Sequence, residues 1–556
     1  MHMKQIKKST LRTLSELFPK ALFGLTLILC LFTTCHVTGH YLDSDASSTL
    51  VFAEHLSQIG KLFSQDWMYS TNIEVISSHL IFIPLFQLFD DWQQIRLIGT
   101  IIHQAIYLLS YAFMLRQAGV SRRVFYISAS LLLLPVSVAY GRIVLYHCFY
   151  VPLLTMDFLM LGLVFRCAKV QNWKKAGPYL LVLMLGALAF LEGLGGIRQL
   201  MILHAPMVLS AFLFCFLDFY KNQKRLSEVL LSDRGRVLIF SVYAAGASFV
   251  GFLGNVFYLC KRFAFADYGS TELNIINFSE FDDILYGFFH QFGFREKVSM
   301  ISVIGILSLL GLIAGIYCVY TSIQRIKHYQ KEDDIYTLVL NTFFLFFTAV
   351  TLFSFILTGG DKGYYYPLYF TFCLSWIAPM LIASFEKESV KKIFSFEKIF
   401  CWITILTMFL NGFANMTFFN GSKTFDQVYE GLQFYDIDKK EYLSGTVNYL
   451  SENNYTIGYA TYWEGNVVTE ITNGDIDMIN LLMGGENGNL TYYSWLTSLY
   501  LREAENPKPF LLLPSDFKSF FEVSDSVQYC TLVYEDQYHC VYDILDRDAF
   551  ISTLYS

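Results

Sequence analysis

Apolar runs of about twenty residues, the length an α-helix needs to cross the hydrocarbon core of a bilayer, recur along the first three quarters of this 556-residue chain. Eleven stand out: 21–39, 96–115, 124–141, 144–165, 178–194, 201–219, 237–260, 300–321, 336–358, 367–384 and 399–419. Inside lipid every backbone polar group has to be satisfied within the protein, so runs of this kind fold as helices. The expected fold is a polytopic α-helical membrane protein. Composition agrees, because only 16% of the residues are charged against 54% hydrophobic, too few charges to clothe a soluble chain of this length.

Lys and Arg orient the spans. Segments 1–20, 116–123, 166–177, 220–236, 322–335 and 385–398 hold 24 of the 40 basic residues and are expected in the cytoplasm by the positive-inside rule. The basic N-terminal stretch could open a cleaved signal peptide, but no small-residue cleavage site follows the first run, so a retained first helix is expected. An odd number of spans then leaves the N-terminus in the cytoplasm and everything after Phe419 outside, as in a multi-pass protein of a bacterial cell membrane.

The chain therefore divides at residue 419. Segment 420–556 carries 21 of the 47 acids against 7 Lys and Arg, the composition of a soluble extracytoplasmic domain. Helical periodicity covers 440–453, while 455–463, 467–471 and 509–513 read as strands, which predicts a small α/β domain. Cys530 and Cys540 flank Glu535-Asp536-Gln537 in strand-like runs, placing them across a hairpin as either a disulfide or two reduced thiols. The other nine cysteines show no metal-ligand spacing and read as small buried hydrophobes. No metal site is predicted, although a divalent cation stays open. Gly193-Leu-Gly-Gly196 lacks the strand-to-helix context of a phosphate loop and reads as a tight turn. The net charge of −7 does not point to nucleic acid.

Between the first two spans lies a long outer segment, 40–95, which holds most of the chemistry. It opens His40-Tyr-Leu-Asp43-Ser-Asp45-Ala-Ser-Ser, two carboxylates where a membrane span meets water. Such acids are costly unless they face water, a partner or a reacting group. They also make a good helix start, and both readings stand. Segment 48–63 has an apolar stripe suited to lying along the membrane surface. After Asp66-Trp67-Met-Tyr69 and Ser77-Ser-His79, the run 80–89, interrupted by Pro84, is too short to span and reads as a second interfacial or re-entrant piece.

These residues resemble the GT-C class of integral-membrane glycosyltransferases. The likeness rests on the first span with an acid at its outer end, the interfacial helix containing Phe52-Ala53-Glu54-His55-Leu56, the second interfacial helix, about eleven spans and a C-terminal outer domain. Residues 43–48 and 67–71 are also similar to a bacterial subgroup of that class. The resemblance implies transfer of a hexosyl or pentosyl group, with inversion, from a polyprenyl-phosphate carrier, with an Asp of the first outer loop as base. Asp45 falls nearest that position and Asp43 next. Ala46 stands where the class often has a second acid, so the choice between them stays open. The partners implied are the lipid-linked sugar donor, membrane lipid, and a saccharide, lipid or protein acceptor.

Such a transfer needs a base for the acceptor's proton and cations for the departing phosphate. Few basic residues fall on the predicted outer face: Arg142, Arg198, Lys261, Arg262, Arg295, Lys297 and Lys362, with Arg96 at the start of the second span. Arg198, in Glu192-Gly-Leu-Gly-Gly-Ile-Arg198-Gln199, is the first candidate for the phosphate, and an ion pair with Glu192 is its alternative. Lys362 follows, in Asp361-Lys362-Gly-Tyr364-Tyr365-Tyr366-Pro367, which resembles the basic residue with tyrosine and proline that the class places before a late span; Arg142 is third. Trp67, Tyr69, Tyr364 and Tyr365 could stack on sugar rings, as could Trp463, while His79 and Glu192 could bond hydroxyls. With 97 aromatic residues in the chain, a packing role suits each ring as well. His79 and His147 could assist as acid, base or metal ligand, but neither belongs to a ligand cluster, and each also reads as an interfacial histidine with satisfied hydrogen bonds. A transporter or flippase of lipid-linked saccharides would be expected to show internal repeats, and none is found at that scale. A polymerase or ligase would differ only in its donor, and a scaffold would not require the folded first loop.

Overall fold

The computed structural model of the chain describes residues 2–70, 73, 75–148, 150–222, 225–266, 281–295, 298–328, 334–358, 396–419, 439–484 and 488–554. Among them, nine helices are long and apolar enough to cross a membrane: Leu17–His40, Trp92–Gln117, Val151–Ala168, Ala176–Leu194, Leu200–Tyr220, Asp233–Lys261, Val303–Lys327, Ile335–Leu357 and Ile399–Thr417. The protein is a multi-pass membrane protein with a C-terminal sheet unit. The expected span 367–384 lies outside the described residues.

The expected span 124–141 is instead a broken, buried segment. Helix Arg122–Leu133 stops after 12 residues because Leu134, at φ −97° and ψ 132°, precedes Pro135. A residue before proline is pushed out of the helical region, and proline itself has no N–H to give. The chain then makes the short helix Val138–Arg142 and the π-turn Ile143–His147, which ends at Cys148 with φ +49°. Regular helix resumes only at Val151, so the span expected at 144–165 is Val151–Ala168. Hydropathy does not register the break, since the interrupted stretch is as apolar as a span.

Helices Ala176–Leu194 and Asp233–Phe257 pack backbone to backbone. A Cβ on Gly193 would lie 1.9 Å from the Ser248 carbonyl oxygen, and one on Gly251 would lie 2.1 Å from that of Phe190. Small residues at the contact allow this approach, which is how apolar helices associate where hydrophobicity gives no drive.

At one end of the bundle, between α1 (His2–His40) and the second span α4 (Trp92–Gln117), the first loop folds into two helices, α2 (Ser44–Ile59) and α3 (His79–Phe86). Asp43 starts α2. Its backbone is extended and its side chain accepts from the Ala46 N–H at 2.8 Å, while Gly60 closes the helix in the left-handed conformation, φ 63°. The helix thus begins four residues earlier than its apolar stripe suggests. It is also buried on all sides from Ala46 to Ala53, enclosed by protein instead of laid on lipid by one face.

Among the described residues, the C-terminal unit holds helix Lys439–Glu452 and a mixed sheet of six strands. In chain order the strands of the molecule are β1 (Trp67–Tyr69), β2 (Ala264–Phe265), β3 (Ile457–Thr461), β4 (Asp477–Gly484), β5 (Asn489–Tyr492), β6 (Thr497–Ser498), β7 (Phe510–Pro514), β8 (Cys530–Glu535) and β9 (His539–Ile544). The large sheet runs β5-β4-β3-β7-β9-β8, with β3 parallel to both β4 and β7. A parallel pair needs a crossover. Residues 467–471, expected as a strand, form part of that crossover, the helix Tyr462–Ile471. A short apolar run does not distinguish strand from buried helix by its period alone.

Cys530 and Cys540 do sit in a hairpin, but both are free thiols. The turn centres two residues later than their midpoint, so Cys530 pairs with Ile544 and Cys540 with Glu535. A second sheet, β2-β1-β6, joins three distant stretches: the first loop, the loop after the Asp233–Phe257 helix, and the C-terminal unit. The acidic unit and the first loop therefore occupy the same end of the bundle.

Candidate functional site

Helix Tyr462–Ile471 lies on α2 and turns one face to it. Tyr462, Asn466 and Glu470 are spaced by four and share that face. The Tyr462 hydroxyl donates to Asp45 Oδ1. Asn466 Nδ2 donates to Ser44 Oγ at 3.2 Å. Both oxygens of Glu470 accept from the Arg96 guanidinium, through Nε and Nη2, a two-point fork that only Arg can form. Arg96 also donates to the carbonyls of Ala46, at 3.1 Å, and Tyr146, at 3.4 Å. It is 1% exposed. Arg96 thus ties α4, α2, the π-turn and the C-terminal unit together.

Asp43 holds two roles at once. One oxygen caps α2 and the other accepts from Arg142 Nη2 at 2.8 Å. The helix-cap reading of Asp43 is therefore right and incomplete. Arg142 arrives there because the chain breaks at Pro135 and re-forms as a short helix; its Nε also donates to the Tyr146 hydroxyl at 3.2 Å. Asp45, one residue into α2, is half-buried where Asp43 is buried. Two carboxylates at a helix N-terminus, two guanidinium groups and a phenol meet in one polar constellation, drawn from four separate parts of the chain.

Arg198 belongs to a neighbouring pocket. It is half-buried, its guanidinium 5.9 Å from the centre of the Tyr150 ring, and it lines a cavity with Glu192, Gln199, Leu153 and Met156 of the bundle and Ile76 of the first loop. The ion pair with Glu192, the alternative role for Arg198, is not formed. Glu192 Oε2 bonds His204 Nε2 at 2.9 Å inside the bundle, because Glu192 belongs to the span while Arg198 lies beyond the turn at Gly195 and Gly196. Gln199 Nε2 donates to Asp157 Oδ1 at 3.3 Å. Asp157 Oδ2, Glu192 Oε1 and Gln199 Oε1 are buried without a hydrogen-bond partner. Asp157 and His204 were not legible as functional candidates by motif. The available signal was an acid in the middle of an apolar run, which marks a site in its own right.

Trp67, Tyr69 and His79 form the core of the first loop. They are 1%, 5% and 6% exposed and surround Phe52, with Trp67 stacked at 4.8 Å and the other two edge-on at 5.4 and 5.3 Å. The Tyr69 hydroxyl donates to the Ser64 carbonyl at 3.1 Å. None of the three presents a ring face for stacking, a correction that follows from the loop needing an apolar core of its own. Burial pushes the His79 imidazole down to about 4, so it is neutral at neutral pH. Trp463, beside Tyr462, is 56% exposed. Lys362, Tyr364, Tyr365 and Lys297 lie outside the described residues. Arg295 is buried against Asn411 and Asn415. Among the described residues no group of three His, Cys, Asp or Glu side chains could hold a metal ion.

No protein-family model and no curated protein matches the chain. Among solved structures it is similar to ArnT from Cupriavidus metallidurans bound to undecaprenyl phosphate, at 10% identity and a TM-score of 0.47, over 95% of this chain and 98% of that one. The apo form of that protein gives 10% identity and 0.48, over 96% and 98%. The Archaeoglobus fulgidus oligosaccharyltransferase tethered to an acceptor peptide gives 12% identity and 0.49, over 94% of this chain and 74% of that one. At these values the likeness carries no argument about activity.

Proposed function

We propose that the protein is a GT-C class glycosyltransferase, which moves a hexosyl or pentosyl group from a polyprenyl-phosphate carrier to a saccharide, lipid or protein acceptor on the outer face of the membrane. The observation that carries this reading is the constellation of Asp43, Asp45 and Arg142 at the end of the bundle, roofed by the C-terminal unit. The acceptor oxygen attacks the anomeric carbon as the bond to the carrier phosphate breaks, and attack from the opposite side inverts that centre. Asp45 takes the acceptor's proton. Asp43, engaged as helix cap and as partner of Arg142, is the second choice. Arg142 and Arg198, with Lys362, offset the charge left on the phosphate. Glu192, in the pocket beside Arg198, bonds sugar hydroxyls, with Tyr364 and Tyr365 as further contacts. Trp67, Tyr69 and His79 act through the shape of the loop.

The test is release of polyprenyl phosphate from a panel of radiolabelled polyprenyl-phosphate sugars by protein in liposomes. Asp45→Asn keeps the shape but accepts no proton at neutral pH, and turnover falls by about 10²-fold or more. Near-parental turnover in Asp45→Asn, Asp43→Asn and the double variant would remove the catalytic assignment. Passage of the intact lipid-linked sugar across the bilayer, with the phosphate bond unbroken, would replace transfer by transport.

A further inference from the structure

Besides the β1–β6 strand pair, the C-terminal unit meets α2 through one face of the Tyr462–Ile471 helix, and the residue of that face nearest the candidate base carries a hydroxyl. We propose that Tyr462 is a positioning residue for Asp45, so that the C-terminal unit completes the reacting site as well as covering it; this rests on Asp45 being the base. The Tyr462 side chain is buried, with its ring edge-on to Tyr493 at 4.9 Å and to Trp463 at 5.3 Å. Burial first, then the charge and hydrogen bond of Asp45, push its phenol well above its ordinary value of 10. It therefore keeps its proton, and it is the donor in the bond to Asp45 Oδ1 at any working pH.

A carboxylate used as a base has to offer a lone pair in a fixed direction, and rotation about its last bond spreads that direction. A phenol wedged between rings and bonded to one oxygen fixes the plane. The wedge itself is held along the helix by Asn466 on Ser44 and by Glu470 on Arg96, about 12 Å further on at 1.5 Å per residue. Among the described residues, the charged and titratable groups that share this corner with Tyr462 and Asp45 include Asp43 and Tyr493, with the Arg142–Asp43 and Arg96–Glu470 pairs at the same helix start. Arg142 is engaged by Asp43, and Arg96 by Glu470. Together these contacts make the Tyr462–Ile471 helix part of the reacting machinery.

Tyr462→Phe removes one oxygen and keeps the ring. The first readout needs no substrate: a hydrophobic carbodiimide, which reacts with protonated carboxyl groups, is applied to the full-length protein in liposomes over a pH series, and modified Asp45 is counted by mass spectrometry. Onset of labelling moves to higher pH by about one unit in Tyr462→Phe, because a carboxylate that loses a donor takes up a proton more readily. The second readout is turnover of the lipid-linked sugar used above, where kcat falls about 10-fold or more with KM little changed. Asn466→Ser loosens the same helix but keeps the phenol, and moves the labelling onset by much less than Tyr462→Phe does. Unchanged labelling and kcat in Tyr462→Phe, or an equal shift in Asn466→Ser, would overturn the inference while leaving an inactive Asp45→Asn to support the base. Full turnover in Asp45→Asn would instead overturn the reading beneath it.

Discussion

At the scale of single residues, the first loop is built around groups that have given up water for defined partners. His79 is the clearest for a pH measurement. Its ring lies edge-on to Phe52, and desolvation alone lowers it from an ordinary 6.5 to about 4. The unfolded chain therefore binds the proton first as pH falls. Stability from this group is complete above about 6.5 and is lost progressively down to about 4, a total of about 3 kcal/mol at 1.36 kcal/mol per unit. Thermal unfolding in detergent is expected to fall between pH 7 and pH 4.5, and His79→Asn to flatten that slope. A slope unchanged in the variant would assign it to other groups. Asp43 teaches a related lesson: its cap is written in the three residues that follow, whereas its bond to Arg142, 99 positions away, is not.

At the scale of elements, the break after Leu133 decides where Arg142 goes, and the break has its own support. Asn415, on the Phe396–Phe419 helix, donates to the carbonyls of Pro135 and Val136 at 2.6 and 2.8 Å, and accepts from Arg295 at 3.1 Å. Those carbonyls lie in the apolar bundle, where an unmet acceptor costs about 1–3 kcal/mol. Asn415→Leu is therefore expected to lower the thermal midpoint, and to reduce turnover by more than its stability loss explains, since Arg142 is displaced from Asp43. Intact stability in that variant would show that the break needs no such support. The sequence placed an apolar run here correctly and its shape incorrectly, because Pro135 announces an interruption but not which partner satisfies the freed groups.

At the scale of the whole molecule, the C-terminal unit, the loop after the Asp233–Phe257 helix and the first loop are stitched into one sheet at one end of the bundle. Their shared face makes orientation a single measurement. In a cysteine-depleted protein, the single variants Asp45→Cys, Ile197→Cys and Trp463→Cys are expected to react with a membrane-impermeant maleimide from the outer side. Protection of the Trp463→Cys variant there, with labelling only from the cytoplasmic side, would turn the whole site inward and remove a donor presented on the outer leaflet.

Nearest-neighbour energetics made part of this protein legible in its sequence. Among the described residues nine of the eleven apolar runs overlap helices of spanning length, the acid-rich C-terminal unit has its sheet, and Asp43 opens a helix as its flanking residues require. Transfer from water and capping depend on residues a few positions apart, so they can be read in order along the chain. Tertiary structure alone decided that Glu470 would answer Arg96 across 374 positions, that His204 and not Arg198 would take Glu192, and that Tyr462 would meet Asp45. A buried charge pairs with whatever partner loses its water in the same place, and that place exists only once distant helices have packed.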